Sequence, residues 1–198
     1  MTELLRFAPQ GPAPLEVLVV ESEELLPTLR ERLPVSHIHA VTQFGELADF
    51  AAYQKLDVSW HILDYRQKHL PLNDYSLDLI IGYSLLENIW DTYSTLMDFN
   101  RCLKETGILV ADFLNVRYHK ILAELKSGSF PYRDSHLYAK EEVVRMLNDA
   151  LFKEIEFAPL ESDKEDTGAE TWEKLGFQNF SGDLSVKRWM LRAGKSAA

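Results

Sequence analysis

Apolar residues fall into two alternating kinds of block along the chain. Short, continuous, β-branched runs read as buried strands, and stretches with apolar residues three or four apart read as helices. The run from Val17 to Val20 is the first strand, and Leu25, Leu26, Leu29 and Leu33 follow at helical spacing. Pro27 fits only a first helical turn, so this helix starts near Glu24 to Leu26, with Ser22 or Glu23 serving its terminus. His37 to Val41 reads as a second strand, and Phe44, Leu47, Ala48 and Ala51 predict a second helix. Val58 to Leu63 and Leu77 to Gly82 are the next strands. A third helix carries Ile89, Tyr93, Leu96, Met97, Asn100 and Leu103, capped by Asp91 and stopped at Lys104-Glu105-Thr106-Gly107. Ile108 to Phe113 is a fifth strand. A short helix from Tyr118 to Lys126, a helix from Lys140 to Leu151, and strands from Phe152 to Phe157 and from Val186 to Arg192 complete the pattern.

Strands that alternate with helices in this way predict an α/β protein with a doubly wound, mostly parallel sheet. Ligands of such sheets lie beyond the carboxyl ends of the strands, at the switch point. That directs attention to Glu21–Glu24, Thr42–Phe44, Asp64–Tyr65 and Gly82–Asn88.

Composition narrows the function. The 198 residues are 46% hydrophobic and 26% charged, which suits one globular domain. That domain would carry an N-terminal extension over 1–14, a lid-like insert over 115–139 and an acidic loop over 159–171. A formal charge of −10 argues against nucleic acid, which needs a basic surface. No apolar run is long enough for a membrane span, and no signal-peptide pattern opens the chain, so a cytoplasmic protein is expected. A small molecule or another protein is the expected partner. Cys102 is the single cysteine and sits in an apolar helical stretch, where it reads as a small core residue. His37 and His39 share one strand face, but no third donor is visible in the sequence. No metal site is assigned.

The middle of the chain carries a further signal. Asp64 follows the third strand, and Leu70-Pro71-Leu72, Leu77-Asp78-Leu79, Leu86-Glu87-Asn88 and Leu103-Lys104-Glu105-Thr106-Gly107 follow in order. This succession resembles the small-molecule branch of the class I S-adenosylmethionine-dependent methyltransferases. The stretch from Asn115 to Leu147 resembles an insert found in glycan-associated members. The resemblance spans most of residues 15–158 and implies a seven-stranded Rossmann-like fold. It also implies S-adenosylmethionine as cofactor, with Asp64, Tyr65, Gly82 and Tyr83 against it. His119 and His136, on the insert over the sheet's mouth, become the candidate general bases for an acceptor hydroxyl or amine.

The resemblance breaks at the first strand-to-helix turn. The family's glycines, which let the backbone approach the cofactor, align with Glu21 and Glu23. Its ribose-binding acid aligns with Thr42. A glutamate in left-handed geometry costs about 1–2 kcal/mol, and a lost ribose carboxylate about 1.5–3 kcal/mol. The chain therefore reads as a methyltransferase-like protein with an eroded cofactor site, acting as a binding or assembly partner, as a homodimer or beside an active relative. The alternatives are an active S-adenosylmethionine-dependent methyltransferase on a small-molecule or glycan-related acceptor, and a different nucleotide or sugar in the same cleft.

Overall fold

A computed structural model describes residues 2–11, 13–130, 132–163 and 168–195 of the chain. The expected α/β architecture is present. Strands β1 (Glu16–Val20), β2 (His37–Thr42), β3 (Val58–Ile62), β4 (Leu77–Ile81) and β5 (Leu103–Asn115) pair in parallel. Strand β6 (Leu137–Tyr138) adds a short parallel pairing to the end of β5. Strands β7 (Phe152–Ser162) and β8 (Val186–Lys195) close the sheet in antiparallel fashion, giving the order β3-β2-β1-β4-β5-β8-β7. The order reverses between β1 and β4, which fixes the switch point at their carboxyl ends.

Alternate residues of the central strands feed two apolar layers. Leu18, Val20, Val41 and Ile80 meet Leu96 and Phe99 of α3 (Thr92–Cys102) and Val143 and Leu147 of α5 (Lys140–Asp149). Val17, Val19, Ile38 and Ala40 meet Leu26 and Leu29 of α1 (Leu26–Arg32). Leu4 and Leu5, in the 3₁₀ turn Thr2–Arg6, are fully buried in this second layer. Residues of the N-terminal extension thus belong to the core. Two short helices, α4 (His119–Lys126) and α6 (Gly168–Lys174), flank the antiparallel end. Part of the expected acidic loop, residues 164–167, lies outside the described residues. No helix among the described residues is long and apolar enough to cross a membrane.

Several expectations need correction. The helix expected across Phe44 to Ala51 is a 3₁₀ turn, Gly45–Asp49, followed by the four-residue α2, Ala51–Gln54. Neither buries a residue fully; Tyr53 of α2 packs on Trp60 of β3 at the rim of the second layer, with ring centroids 6.0 Å apart. The third helix ends one turn early, at Cys102. Leu103 leaves it in extended geometry and pairs with Leu77, so the expected stop sequence becomes the start of β5. Gly107 serves close packing there, since a Cβ would lie 2.9 Å from the Leu77 carbonyl. Ser22 and Glu23 make no capping bond to the first helix; the Ser22 hydroxyl has other partners, described below. Asp91 caps α3 as expected, accepting the Ser94 N–H at 3.0 Å. Cys102 is fully buried, and burial pushes its thiol up to about 11.

No helix joins β3 to β4. Residues 63–76 cross that face as a loop held by Asp98, whose carboxylate accepts Leu70 N–H at 2.7 Å, Arg101 Nε at 2.9 Å and His69 Nδ1 at 3.0 Å. Arg101 returns bonds to the carbonyls of Leu70 and Leu72. A loop bolted by one buried carboxylate leaves the outer part of the sheet face without a covering helix. That is why polar residues are tolerated at His37, His39, Ser59 and His61.

Candidate functional site

The switch point is built from four strand exits. Leaving β1, Glu21 takes a left-handed conformation (φ 41°) and donates its N–H to the Val41 carbonyl at 3.0 Å. A glutamate thus adopts the left-handed conformation that glycine favours. Its carboxylate turns toward the β2 exit and accepts the Gln43 amide at 2.8 Å. Ser22, fully buried, donates to the Val20 carbonyl at 2.8 Å and accepts the Tyr83 N–H at 2.7 Å, tying the β1 exit to the β4 exit. Glu23 is buried, and burial raises its carboxyl above the ordinary range despite a bond from Thr42. Thr42 itself accepts the Phe44 N–H.

Asp64, just beyond the end of β3, is bound by its own loop. One carboxylate oxygen accepts Arg66 N–H at 3.2 Å and Arg66 Nε at 2.9 Å, and the other accepts Gln67 Nε2 at 2.7 Å. Burial works upward on this carboxyl, but the Arg66 bonds outweigh it and hold it below its usual range. Tyr65 is buried and stacked on Phe99 with ring centroids 6.0 Å apart. Burial drives its hydroxyl far above its ordinary value. Gly82 is required by packing at the β4 exit, where a Cβ would stand 3.0 Å from the Val20 carbonyl and 3.3 Å from Leu85. Tyr83 donates its hydroxyl to Glu161 at 3.1 Å, and burial pushes that hydroxyl up to about 12.

On the other side of the switch point lies a buried ionic cluster that sequence reasoning missed in its main parts. Arg188, from β8, has its side chain 4% exposed and reaches Glu87 Oε1 at 2.5 Å, the Ser84 hydroxyl at 3.1 Å and Asp112 Oδ2 at 3.0 Å. Its guanidinium lies 4.7 Å from the centre of the Tyr83 ring. Asp112 is wholly buried in β5 and accepts the Ser84 N–H at 2.6 Å. One cation thus faces Asp112 and Glu87, with Glu161 at 3.8 Å. Burial raises Asp112 to about 7; Arg188 pulls the other way and does not prevail. The one sequence signal was Asp112 itself, an acid inside the apolar run Ile108 to Phe113, since buried charges need partners.

A raised carboxyl implies a definite pH dependence. The stability held by neutral Asp112 is complete below about 3.8, its ordinary value, and is lost as pH rises through about 7. Asp112→Asn keeps the acceptor for Ser84 and removes the titration. The variant is expected to show a flatter stability profile than the parent between pH 4 and 7, measured by urea unfolding across that range.

The two candidate bases occupy different surroundings. His136 donates its backbone N–H to the Glu87 carbonyl at 2.9 Å, and its ring lies edge-on to Trp90 and parallel to Tyr138. His119 is buried in the first turn of α4, edge-on to Tyr118 at 4.8 Å. Glu87, grouped with Asn88 in the sequence as a polar residue after β4, is an ion-pair partner within the buried cluster. Asn88 instead donates to the Ser84 carbonyl at 2.8 Å.

No protein-family model matches the chain, and no curated protein sequence matches it. Solved structures do. A S-adenosylmethionine-dependent methyltransferase from Mesorhizobium loti superposes with a TM-score of 0.69 at 14% identity, over 98% of this chain and 96% of the other. The fold is that of the class I S-adenosylmethionine-dependent methyltransferases. Geranyl diphosphate C-methyltransferase from Streptomyces coelicolor, crystallised with Mg²⁺, geranyl diphosphate and S-adenosyl-L-homocysteine, matches at a TM-score of 0.66 and 15% identity. That match covers 98% of this chain and 79% of the other. A complex of the Haloferax volcanii Trm112 methyltransferase activator with a methyltransferase matches at a TM-score of 0.66 and 17% identity, over 98% and 87%. The methyltransferase fold places the residue pairs Glu21–Gln43 and Asp64–Arg66 at the strand exits where a ligand of this sheet type would lie.

Proposed function

We propose that this chain is a methyltransferase-fold protein whose cofactor cleft is filled by its own side chains and which serves as a binding or assembly partner. The bond from Gln43 to Glu21 at 2.8 Å carries this reading. It sets a carboxylate and an amide between the β1 and β2 exits, where the family resemblance calls for bare backbone. S-Adenosylmethionine fits these groups poorly. To enter, it must displace a charge-assisted bond worth about 1.5–3 kcal/mol. Asp64 is already engaged by Arg66 and Gln67, which compete with any ligand donor for its oxygens. Thr42 offers the ribose a hydroxyl in place of a carboxylate. On the other side of the switch point, Arg188 is ion-paired with Glu87 and Asp112. A protein partner is in keeping with the activator complex among the similar structures. A second copy of the chain or an active relative is the expected form.

A second reading, an active methyltransferase on a small-molecule or glycan-related acceptor, is favoured by one observation. The crossover backbone keeps its left-handed turn at Glu21, and Ser84 at the β4 exit is left-handed too, with φ 55°. In that reading Asp64, Tyr65, Gly82 and Tyr83 would hold S-adenosylmethionine, which supplies the methyl group. His119 or His136 would take the acceptor's proton. Calorimetric titration with S-adenosylmethionine and S-adenosylhomocysteine separates the two. No dissociation constant tighter than about 100 μM is expected for either compound. A tighter one overturns the first reading in favour of the second.

A further inference from the structure

At the opposite end of the same strands, the fold assembles a cluster that the sequence could not show. Glu16 begins β1, His37 and His39 lie on β2, and Ser59 and His61 on β3. The registers Glu16–His37, His39–Ser59 and Val41–His61 set all five side chains on one face. The third donor absent from the His37-x-His39 spacing is Glu16. One of its oxygens, Oε2, meets His37 Nδ1 at 3.1 Å and His39 Nε2 at 3.4 Å, and the ligand atoms of the three residues all lie within 4.8 Å of one another.

We propose that Glu16, His37 and His39 form a binding site for a borderline divalent metal ion of the zinc, cobalt or nickel type. Three features carry this. The separations of the carboxylate oxygen from the two ring nitrogens, 3.1 and 3.4 Å, match the metal: ligand atoms about 2.05 Å from a tetrahedral zinc stand about 3.3 Å apart. The donor set, two imidazoles and a carboxylate, suits such ions and leaves a fourth position for water or an exogenous ligand. Finally, both rings are already oriented from behind. His37 Nε2 bonds Ser59 Oγ at 2.9 Å, and His39 Nδ1 bonds His61 Nε2 at 3.0 Å. Partners on the outer nitrogens fix the ring planes and tautomers of ligating histidines, and here they leave the inner nitrogens turned to the shared oxygen. A cavity of about 390 Å³, bounded by Glu16, His39, Pro71, Leu72 and Asn73, gives the ion a way in.

The site stands apart from the cofactor cleft. Glu16 and Glu21 are five residues apart along β1 and its exit, roughly 16 Å at the rise of a strand. Metal binding here is therefore independent of whether the cleft accepts S-adenosylmethionine.

The test uses the full chain without an affinity tag, stripped of metal by a chelator and titrated with Zn²⁺ and with Co²⁺. One equivalent of Zn²⁺ is expected to bind with a micromolar or tighter dissociation constant. Co²⁺ should give the visible absorption of a four-coordinate site. At about 100 times the dissociation constant, Zn²⁺ should raise the thermal midpoint by about 5–10 °C. His39→Ala should weaken binding at least about 100-fold, and His61→Ala, which removes a support without removing a ligand, about 10–100-fold. Glu16→Gln at the strand's start is the variant least able to disturb folding, and a loss of about 10-fold or more is expected from it. His69→Ala, on the loop held by Asp98, should bind as the parent does. Binding weaker than about 1 mM, or binding that Glu16→Gln and His39→Ala leave unchanged, overturns the proposal.

Discussion

Arg188→Met is expected to destabilise the protein by about 3–5 kcal/mol at neutral pH, the usual cost of removing one partner from a buried ion pair. Methionine replaces much of the stem's volume, so packing loss is small beside the electrostatic loss. What remains is Asp112 at 0% exposure and Glu87 at 6%, facing each other with no cation between them. Ser84 also loses the guanidinium that bonds its hydroxyl. The buried carboxyls can relieve the repulsion only by taking up protons, so the deficit should be smaller at pH 5 than at pH 8. The pair Arg188→Met with Asp112→Asn removes one of the stranded charges. It should recover more than about half of the single variant's loss, as contacting residues in one network couple strongly. Urea unfolding at the two pH values measures both effects. A loss below about 1 kcal/mol for Arg188→Met, independent of pH, would show that the cluster is solvated and its charges already neutralised by water.

The second large effect concerns the cleft. Glu21→Gly, Glu23→Gly and Thr42→Asp in one chain restore the groups that the family resemblance calls for at the β1 and β2 exits. S-Adenosylhomocysteine affinity is expected to rise at least about 100-fold over the parent. A ribose carboxylate alone contributes about 1.5–3 kcal/mol, and the displaced glutamate side chains add to it. Glu21→Gly by itself is a useful control. At φ 41° glycine is unstrained, so the change should be tolerated even though the Gln43 bond is lost. If the triple variant folds and binds no better than the parent, the barrier lies with Asp64 and its Arg66 and Gln67 partners. Adding Arg66→Ala then shifts the test to that loop.

Much of the layer architecture was legible in the sequence because the strands carry it locally. The apolar runs from Val17 to Val20 and from Leu79 to Ile81 suit a buried parallel strand. Pro27 fixed where the first helix could begin. Misreadings came where local pattern and tertiary packing disagreed. Phe44, Leu47, Ala48 and Ala51 have helical spacing, but Phe44 stays exposed and the segment meets the core only at its rim, through Tyr53 and Leu56. Leu103 carries the last turn of a helical pattern, yet pairing with Leu77 draws it into β5. The Lys104-to-Gly107 stretch looks like a helix stop when read alone and is a strand entry when β4 lies alongside.

The sites divide in the same way. Glu21, Glu23, Thr42 and Asp64 could be named from the sequence because the strand-exit turns are local and ordered along the chain. Their partners could not, since Gln43 and Arg66 meet them only through loop geometry. Arg188 lies 76 residues from Asp112 along the sequence, and only the antiparallel pairing of β8 with β5 brings the two together. His37 and His39 announce a shared strand face through their spacing. Glu16, Ser59 and His61 join them through the register of three parallel strands, which fixes distances across the sheet that no single strand encodes. Local pattern was enough to locate the buried strands, most of the helices and the residue types at each exit. The tertiary structure alone decided which charges share a buried volume and which donors converge, because those depend on contacts between distant parts of the chain.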